Sequence, residues 1–161
     1  MRSLAHRTLV VGGALAAAAA PVALAVGVAG ASGSPAHAAR TVSLKDTGNL
    51  HKTSKHGFNL YESGSASGSI PGSITVHLDV VSTNKVTAEL TVNPKSGGSI
   101  SGKASGSYRT DGGTASFNGT LSINHGSGSY SGAHGSGISF SGTIQRSNDS
   151  MTVHVNGNFS S

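Results

Sequence analysis

The sequence SITVHLDV at residues 73–80 decides the fold class, because apolar and polar side chains alternate along its whole length. Successive side chains of a β-strand point to opposite faces, so this alternation predicts a strand with one apolar face and one solvated face. Residues 86–92, VTAELTV, repeat the pattern after the turn-forming residues 82–84, STN. The two segments together predict an antiparallel hairpin.

The same two-residue phase returns along the rest of the chain after residue 40, where helical periodicity is almost absent. Short runs rich in Gly, Asp, Asn and Ser separate the alternating segments, as in an antiparallel meander. This pattern predicts an all-β protein of about eight strands. The six further predicted strands are residues 41–44, 58–62, 100–108, 115–123, 138–144 and 151–159.

Several glycines fall on the apolar face of these predicted strands. Glycine weakens a strand unless the sheet bends sharply or another group packs against the bare backbone. Inward glycines near Phe and Tyr therefore favour a closed barrel in which aromatic rings cover the glycines of neighbouring strands, and closure also removes exposed sheet edges. The inward glycines are Gly102, Gly106, Gly119, Gly142 and Gly157.

The N-terminal segment has the organisation of an export signal. Two arginines lie within the first seven residues, an uncharged run covers residues 9–28, and the small-residue pattern AHA stands at 36–38. This order predicts a signal peptide that is cleaved after Ala38 or Ala39. A retained membrane anchor is the alternative, and the proline and scattered glycines of the run argue against it.

The predicted domains are a signal peptide at residues 1–38 and a single β-barrel at residues 39–161. The alanine-rich leader indicates a bacterial protein that is secreted or associated with the cell envelope. The chain has no cysteine, which excludes a disulfide framework and a lipoprotein anchor. Stability must therefore come from the sheet and its core.

The basic residues do not form a nucleic-acid interface. Nucleic-acid binders cluster Lys and Arg on one face with aromatic side chains among them, whereas the cations here are mostly isolated. Only His51, Lys52, Lys55 and His56 form a local group. We interpret this group as a solvated loop, with an anion-binding or cell-surface patch as the alternative.

Residues 126–137, GSGSYSGAHGSG, resemble the glycine-rich signature shared by dirigent proteins and allene oxide cyclases. The resemblance covers the last third of the chain, and it implies an eight-stranded antiparallel barrel whose lumen can hold a small apolar molecule. Plant members of the group cyclise an unstable epoxide or steer radical coupling. The cyclase-type lumen carries a glutamate and a cysteine, and this chain lacks cysteine, so the resemblance supports the fold more than a reaction. The matching positions are Gly126, Gly128, Tyr130, Gly132, Ala133 and Gly135.

Two polar residues are candidates for contact with a ligand in the lumen. If Phe58 and Leu60 point into the core, the two-residue period sends Glu62 inward as well. A desolvated carboxyl would have a raised pKa and could act as a general acid or bind a ligand, whereas a carboxyl at a strand end would reach water. Tyr108 is inward by phase and near a strand end, where it either meets the ligand or serves as a core aromatic with its hydroxyl at the rim.

The remaining chemistry-bearing residues do not form a recognised site. The histidines lack the spacing of metal ligands, the glycine-rich loop lacks the following helix of a phosphate-binding motif, and no serine lies in a nucleophile elbow. We therefore expect no metal and no cofactor.

The sequence favours a secreted, non-catalytic binding or structural module over an enzyme. Its partner would be a small apolar ligand in the lumen or a component of the cell envelope. Two alternatives remain: an isomerase or lyase of the allene oxide cyclase type that uses Glu62, and a cell-surface interaction protein that uses its outer polar face. The expected apolar lining of the lumen is Ile74, Leu78, Leu90, Phe117 and Phe140.

Overall fold

A computed structural model describes residues 39–161, so the predicted signal peptide at residues 1–38 lies outside the described part. Eight β-strands and one short 3₁₀ helix (Gly128–Tyr130) make up this part of the chain. The strands are β1 (Thr41–His56), β2 (Asn59–Gly68), β3 (Gly72–Val80), β4 (Lys85–Pro94), β5 (Ser99–Asp111), β6 (Thr114–Ser127), β7 (Gly135–Gln145) and β8 (Ser150–Ser160).

The strands form a closed antiparallel barrel in which each strand pairs with its neighbours in the sequence. The last strand returns to the first, and the β1–β8 ladder runs from Thr41 opposite Ser160 to His51 opposite Ser150. The described barrel therefore has no free sheet edge. The predicted all-β, eight-stranded antiparallel barrel is confirmed.

Strand β1 is much longer than the predicted segment at 41–44, and the prediction of a solvated loop at residues 51–56 was wrong. These residues continue β1 as far as His56, with a bulge between Lys52 and Ser54. The sequence pattern did not reveal this extension, because the inward positions that follow Leu44 hold Asp46 and Gly48 instead of apolar side chains. Pairing with β2 along this segment, and with β8 at His51, supplies the backbone hydrogen bonds that keep it extended.

The prediction that aromatic rings cover the inward glycines holds for two of the five, Gly119 and Gly142. Phe117 on β6 lies opposite Gly142 on β7, and Phe140 on β7 lies opposite Gly119 on β6. A Cβ atom at Gly142 would stand 2.5 Å from Cζ of Phe117, and one at Gly119 would stand 2.8 Å from Cε1 of Phe140. The two rings also contact each other, with centroids 5.9 Å apart. Each glycine thus makes room for the ring of the neighbouring strand.

Buried side chains cover one end of the barrel, which we call the covered end. It is formed by Ile70, Tyr130, Ala133 and Phe159, all of which are buried. The rings of Tyr130 and Phe159 pack with centroids 6.3 Å apart. The glycine-rich segment that carried the family resemblance lies here and joins β6 to β7.

The chain ends of the described barrel also meet at the covered end. The amide of Arg40 donates a hydrogen bond to the carbonyl of Ser161 (2.8 Å), and the amide of Ser161 donates one to the carbonyl of Arg40 (2.9 Å). This exchange extends the β1–β8 ladder by one residue pair beyond Thr41 and Ser160. Arg40 and Ser161 are thus held side by side.

The opposite end, which we call the open end, carries the four hairpin turns between β1 and β2, β3 and β4, β5 and β6, and β7 and β8. Two large apolar side chains are exposed on these turns, Phe58 (74 %) and Val81 (62 %). Within residues 39–161, no helix has the length and apolar character needed to cross a membrane.

Candidate functional site

The lumen of the barrel contains an apolar cavity of about 60 Å³. Of the described residues that line it, every one except Asp46 is apolar or glycine. Small side chains create the space, since Gly48, Ala66, Ala88 and Ala104 stand where larger residues would fill an eight-stranded barrel. The cavity is therefore a product of where the sequence places its small inward residues.

The structure brings together the apolar residues that the sequence predicted for the lumen. Their side chains lie on strands β3, β4, β6 and β7, and the alternation of each strand turns them to the inside. Their part in ligand binding stays a prediction. The residues that line the cavity as predicted are Ile74, Leu78, Leu90, Phe117 and Phe140.

Asp46 is a lining residue that the sequence interpretation missed. Its Oδ1 accepts a hydrogen bond from the amide of Ile70 (2.9 Å), whereas its Oδ2 is buried without a partner. Burial raises the pKa of Asp46, and the amides of Ile70 and Ser69 partly offset that effect. The signal was present in the sequence, because Leu44, Asp46 and Gly48 share one phase, but the predicted strand ended at Leu44.

A second pocket, of about 430 Å³, opens at the open end of the barrel, and we call it the mouth. Leu78 and Phe117 line both the mouth and the lumen cavity, so their side chains form the boundary between the two spaces. Tyr108 lines the mouth and not the lumen cavity, next to the apolar residues of the hairpins. The mouth also carries three cations, Lys52, Lys55 and Arg146, together with Asp149.

Glu62 lies in the middle of β2 and is only 2 % exposed. The alternative that its carboxyl reaches water at a strand end was therefore wrong. It stands opposite Lys52 on β1 and Val76 on β3, and it lines neither the lumen cavity nor the mouth but a third pocket, on the outer face of β2, β3 and β4. Neither Oε1 nor Oε2 has a hydrogen-bond partner.

The pKa of Glu62 is raised from its ordinary value of 4.5 to about 7. Burial is the largest cause, because it disfavours the charged form. The negative charge of Asp149 raises the pKa further, and the positive charge of Lys52 lowers it. Glu62 is therefore a buried carboxyl that changes its charge near neutral pH.

Lys52 and Asp149 form an ion pair beside Glu62, with Nζ and Oδ2 2.5 Å apart. The amide of Lys52 also donates a hydrogen bond to the carbonyl of Asp149 (3.2 Å). These contacts fasten the β7–β8 turn to β1. The ammonium group of Lys52 thus binds Asp149 in the turn, although Lys52 lies opposite Glu62 in the β1–β2 ladder.

No protein-family model matches this chain, and no curated protein or solved structure gives a significant match. The eight-stranded antiparallel barrel is shown by the strand pairing itself.

The outer face of β2, β3 and β4 carries a polar groove of about 280 Å³. The ring of Tyr61 stacks on the ring of His77 within it, with centroids 4.2 Å apart. Glu89, at the edge of the groove, forms an ion pair with Lys103 (2.9 Å). This is the face on which the predicted surface-interaction alternative would act.

Across residues 39–161, no group of three or more His, Asp or Glu side chains is placed to hold a metal ion.

Proposed function

We propose that this chain is an exported, non-catalytic binding module whose barrel lumen holds one small apolar molecule. The observation that carries the proposal is the wall of the lumen cavity, which is apolar or glycine except for Asp46. Cavities of this character stay free of water and take up apolar guests. Filling the cavity would restore dispersion contacts that its lining residues lack.

The size of the cavity limits what it can hold. An engineered apolar cavity of about 150 Å³ binds benzene or xenon, whereas the lumen cavity measures about 60 Å³. The fitting guest therefore has few heavy atoms, or it is a longer molecule whose apolar end enters the lumen while its remainder lies in the mouth. Movement of Leu78 and Phe117, which line both spaces, would open the route between them.

The same proposal includes export from the cell and a relationship to the allene oxide cyclase and dirigent group of barrels. The leader at residues 1–38 supports secretion or association with the cell envelope. The segment at residues 126–137 supports a place in the allene oxide cyclase and dirigent group of barrels, and the eight-stranded closure agrees with it. A carrier of a poorly soluble molecule outside the cell fits both features.

Xenon is the probe that tests the proposal without knowledge of the natural ligand. We expect the xenon NMR signal to shift in the presence of the wild-type protein and to lose that shift with Ala104→Val, because the added methyl groups occupy the lumen cavity. Ser105→Val is the matched control, since Ser105 is the next residue on β5 and is exposed. Absence of a xenon shift with the wild-type protein, or its survival in Ala104→Val, would contradict binding in the lumen.

Native mass spectrometry of the protein from its own host identifies the ligand. We expect a mass above that of the polypeptide, and organic solvent should remove the excess.

A second candidate function is that of an isomerase or lyase, and Glu62 favours it. A general acid works best with a pKa near the operating pH, and burial places the pKa of Glu62 at about 7. Catalysis requires that a lumen ligand reach this carboxyl. The carboxyl carbon of Glu62 should then shift in NMR spectra when the co-purified ligand is returned to the stripped protein, and an unchanged resonance would exclude the role.

A further inference from the structure

The two oxygens of the Asp46 carboxyl lie in different environments. Oδ1 accepts a hydrogen bond from the amide of Ile70 and so fixes the turn between β2 and β3. Oδ2 has no partner and is buried, and the residue itself lines the lumen cavity. A buried acceptor without a donor is costly, because it has lost its hydrogen bonds with water.

The surroundings of Asp46 make room for this carboxyl. Gly68 on β2 lies opposite it, and a Cβ atom at Gly68 would stand 2.5 Å from Oδ1. Val155 on β8 lies opposite it on the other side and lines the same cavity. Asp46 is thus placed between a glycine and an apolar side chain, on a wall that offers its second oxygen no protein donor.

The structural role of Asp46 accounts for only one of these oxygens. The turn after β2 is also held by the hydroxyl of Ser69, which accepts a hydrogen bond from the amide of Lys45 (3.0 Å). One acceptor at position 46 would complete this arrangement, and an asparagine could supply it. None of the ion pairs among residues 39–161 involves Asp46. Oδ2 of Asp46 therefore makes no contact that stabilises the fold through a hydrogen bond or an ion pair.

We infer that the lumen ligand carries a single O–H or N–H donor on an apolar body and gives that hydrogen bond to Oδ2 of Asp46. This inference rests on the proposed function, because it names the chemical class of the molecule that fills the lumen. The apolar body contacts the aliphatic and aromatic wall, and the donor fixes its orientation. A site that supplies one acceptor discriminates strongly against an analogue that lacks the donor, since the acceptor then stays unpaired.

Three small probes of similar size test the inference. Butanol offers a donor, butanone offers only an acceptor, and pentane offers neither. The probes are titrated at about pH 8, far above the ordinary pKa of an aspartate, and the amide resonance of Ile70 reports binding because this amide contacts Oδ1. We expect butanol to bind about tenfold more tightly than butanone or pentane.

Asp46→Asn places a hydrogen-bond donor where the wild-type side chain has the unpaired acceptor Oδ2. Its carbonyl oxygen can keep the hydrogen bond from Ile70, and its amide group then donates where Oδ2 accepted. We expect this variant to lose the preference for butanol over butanone. Asp79→Asn is the matched control: it makes the same exchange at another half-buried aspartate, on β3, that does not line the cavity, so the preference should persist.

Equal affinity for the three probes would overturn the inference and leave the proposed function intact. Binding of none of them would overturn the inference, and the xenon experiment then decides the proposed function separately. If Asp46→Asn fails to fold, the comparison of butanol with butanone on the wild-type protein still decides the outcome.

Discussion

Lys52 stands directly opposite Glu62 in the β1–β2 ladder, yet its ammonium group pairs with Asp149 and leaves both Glu62 oxygens without a partner. The ladder position would place an ion pair inside the barrel wall. The cation instead holds the β7–β8 turn. Glu62 is thereby left as a buried carboxyl whose pKa is raised to about 7 by desolvation and by the charge of Asp149.

The stability of the barrel should fall as the pH rises from about 4.5 to about 7. Glu62 ionises near 4.5 in the unfolded chain and near 7 in the folded protein, so the folded state binds more protons in this interval. The contribution is fully present below pH 4.5 and is lost as the pH passes 7, with a magnitude of roughly 3 kcal/mol. Urea unfolding across this range measures it.

Glu62→Gln supplies the control for this pH dependence. The amide keeps the shape of the side chain and does not ionise, so the variant should gain stability relative to the wild type at pH 8 and show a flatter profile. Parallel profiles for the two proteins would mean that Glu62 does not ionise inside the barrel. The half-buried carboxyl of Asp46 is present in both proteins and cancels in the comparison.

Substitutions at the two neighbouring charges should move the pKa of Glu62 in opposite directions. Asp149→Asn removes a negative charge and frees Lys52, so the pKa should fall, whereas Lys52→Met removes the positive charge and should raise it. Asparagine suits position 149 because the backbone there is left-handed, with φ at 54°. NMR titration of the Glu62 carboxyl carbon measures both shifts. Shifts of the same sign would contradict this account of the charges.

Gly142→Ala should destabilise the barrel by about 2–3 kcal/mol. A Cβ atom there would stand 2.2 Å from the carbonyl oxygen of Thr152 and 2.5 Å from Cζ of Phe117, so both backbone and ring must move. Gly113→Ala is the matched control in the β5–β6 turn, where no atom lies within 4 Å of the added carbon. Thermal or urea unfolding measures the difference, and equal stability of the two variants would show that the rings do not need the glycines.

Amide hydrogens in the middle of β1 and β8 should exchange as slowly as those of β4 and β5. Closure pairs β1 with both β2 and β8, so the first and last strands are not edges. Hydrogen exchange followed by NMR measures the protection of each amide. Rapid exchange confined to β1 and β8 would indicate that the sheet opens between them.

Strict alternation made most of the fold and much of the lumen predictable. Where each strand keeps its two-residue phase, as around Leu78 and Phe140, the sequence alone assigns the inward side chains correctly. The prediction of β1 ended too early because Asp46 and Gly48 interrupt the apolar phase while staying inward. Periodicity identifies a face by its hydrophobicity, so a polar residue that belongs on that face is overlooked.

The arrangement around Glu62 could not be read from local sequence. The sequence placed Glu62 on the inward phase, but its lack of a partner depends on the β1–β2 register and on a turn far away in the chain. Tyr108 was easier, because its inward phase and its place near a strand end already indicated a position at the rim, and it lines the mouth. Phase gives the face of a strand, and only the register gives the height along the barrel axis.

Arg40 and Ser161 are hydrogen-bonded to each other, so the two ends of the barrel domain lie side by side. The chain could therefore start at another turn without changing the order of the strands around the barrel. A short linker between these two residues would create a continuous loop, and cutting it in the exposed β5–β6 turn would give a circular permutant with the same neighbours for every strand. Such a permutant would have its free ends beside the mouth. A tether or a fluorescent group could then be attached at the rim while the covered end stays sealed.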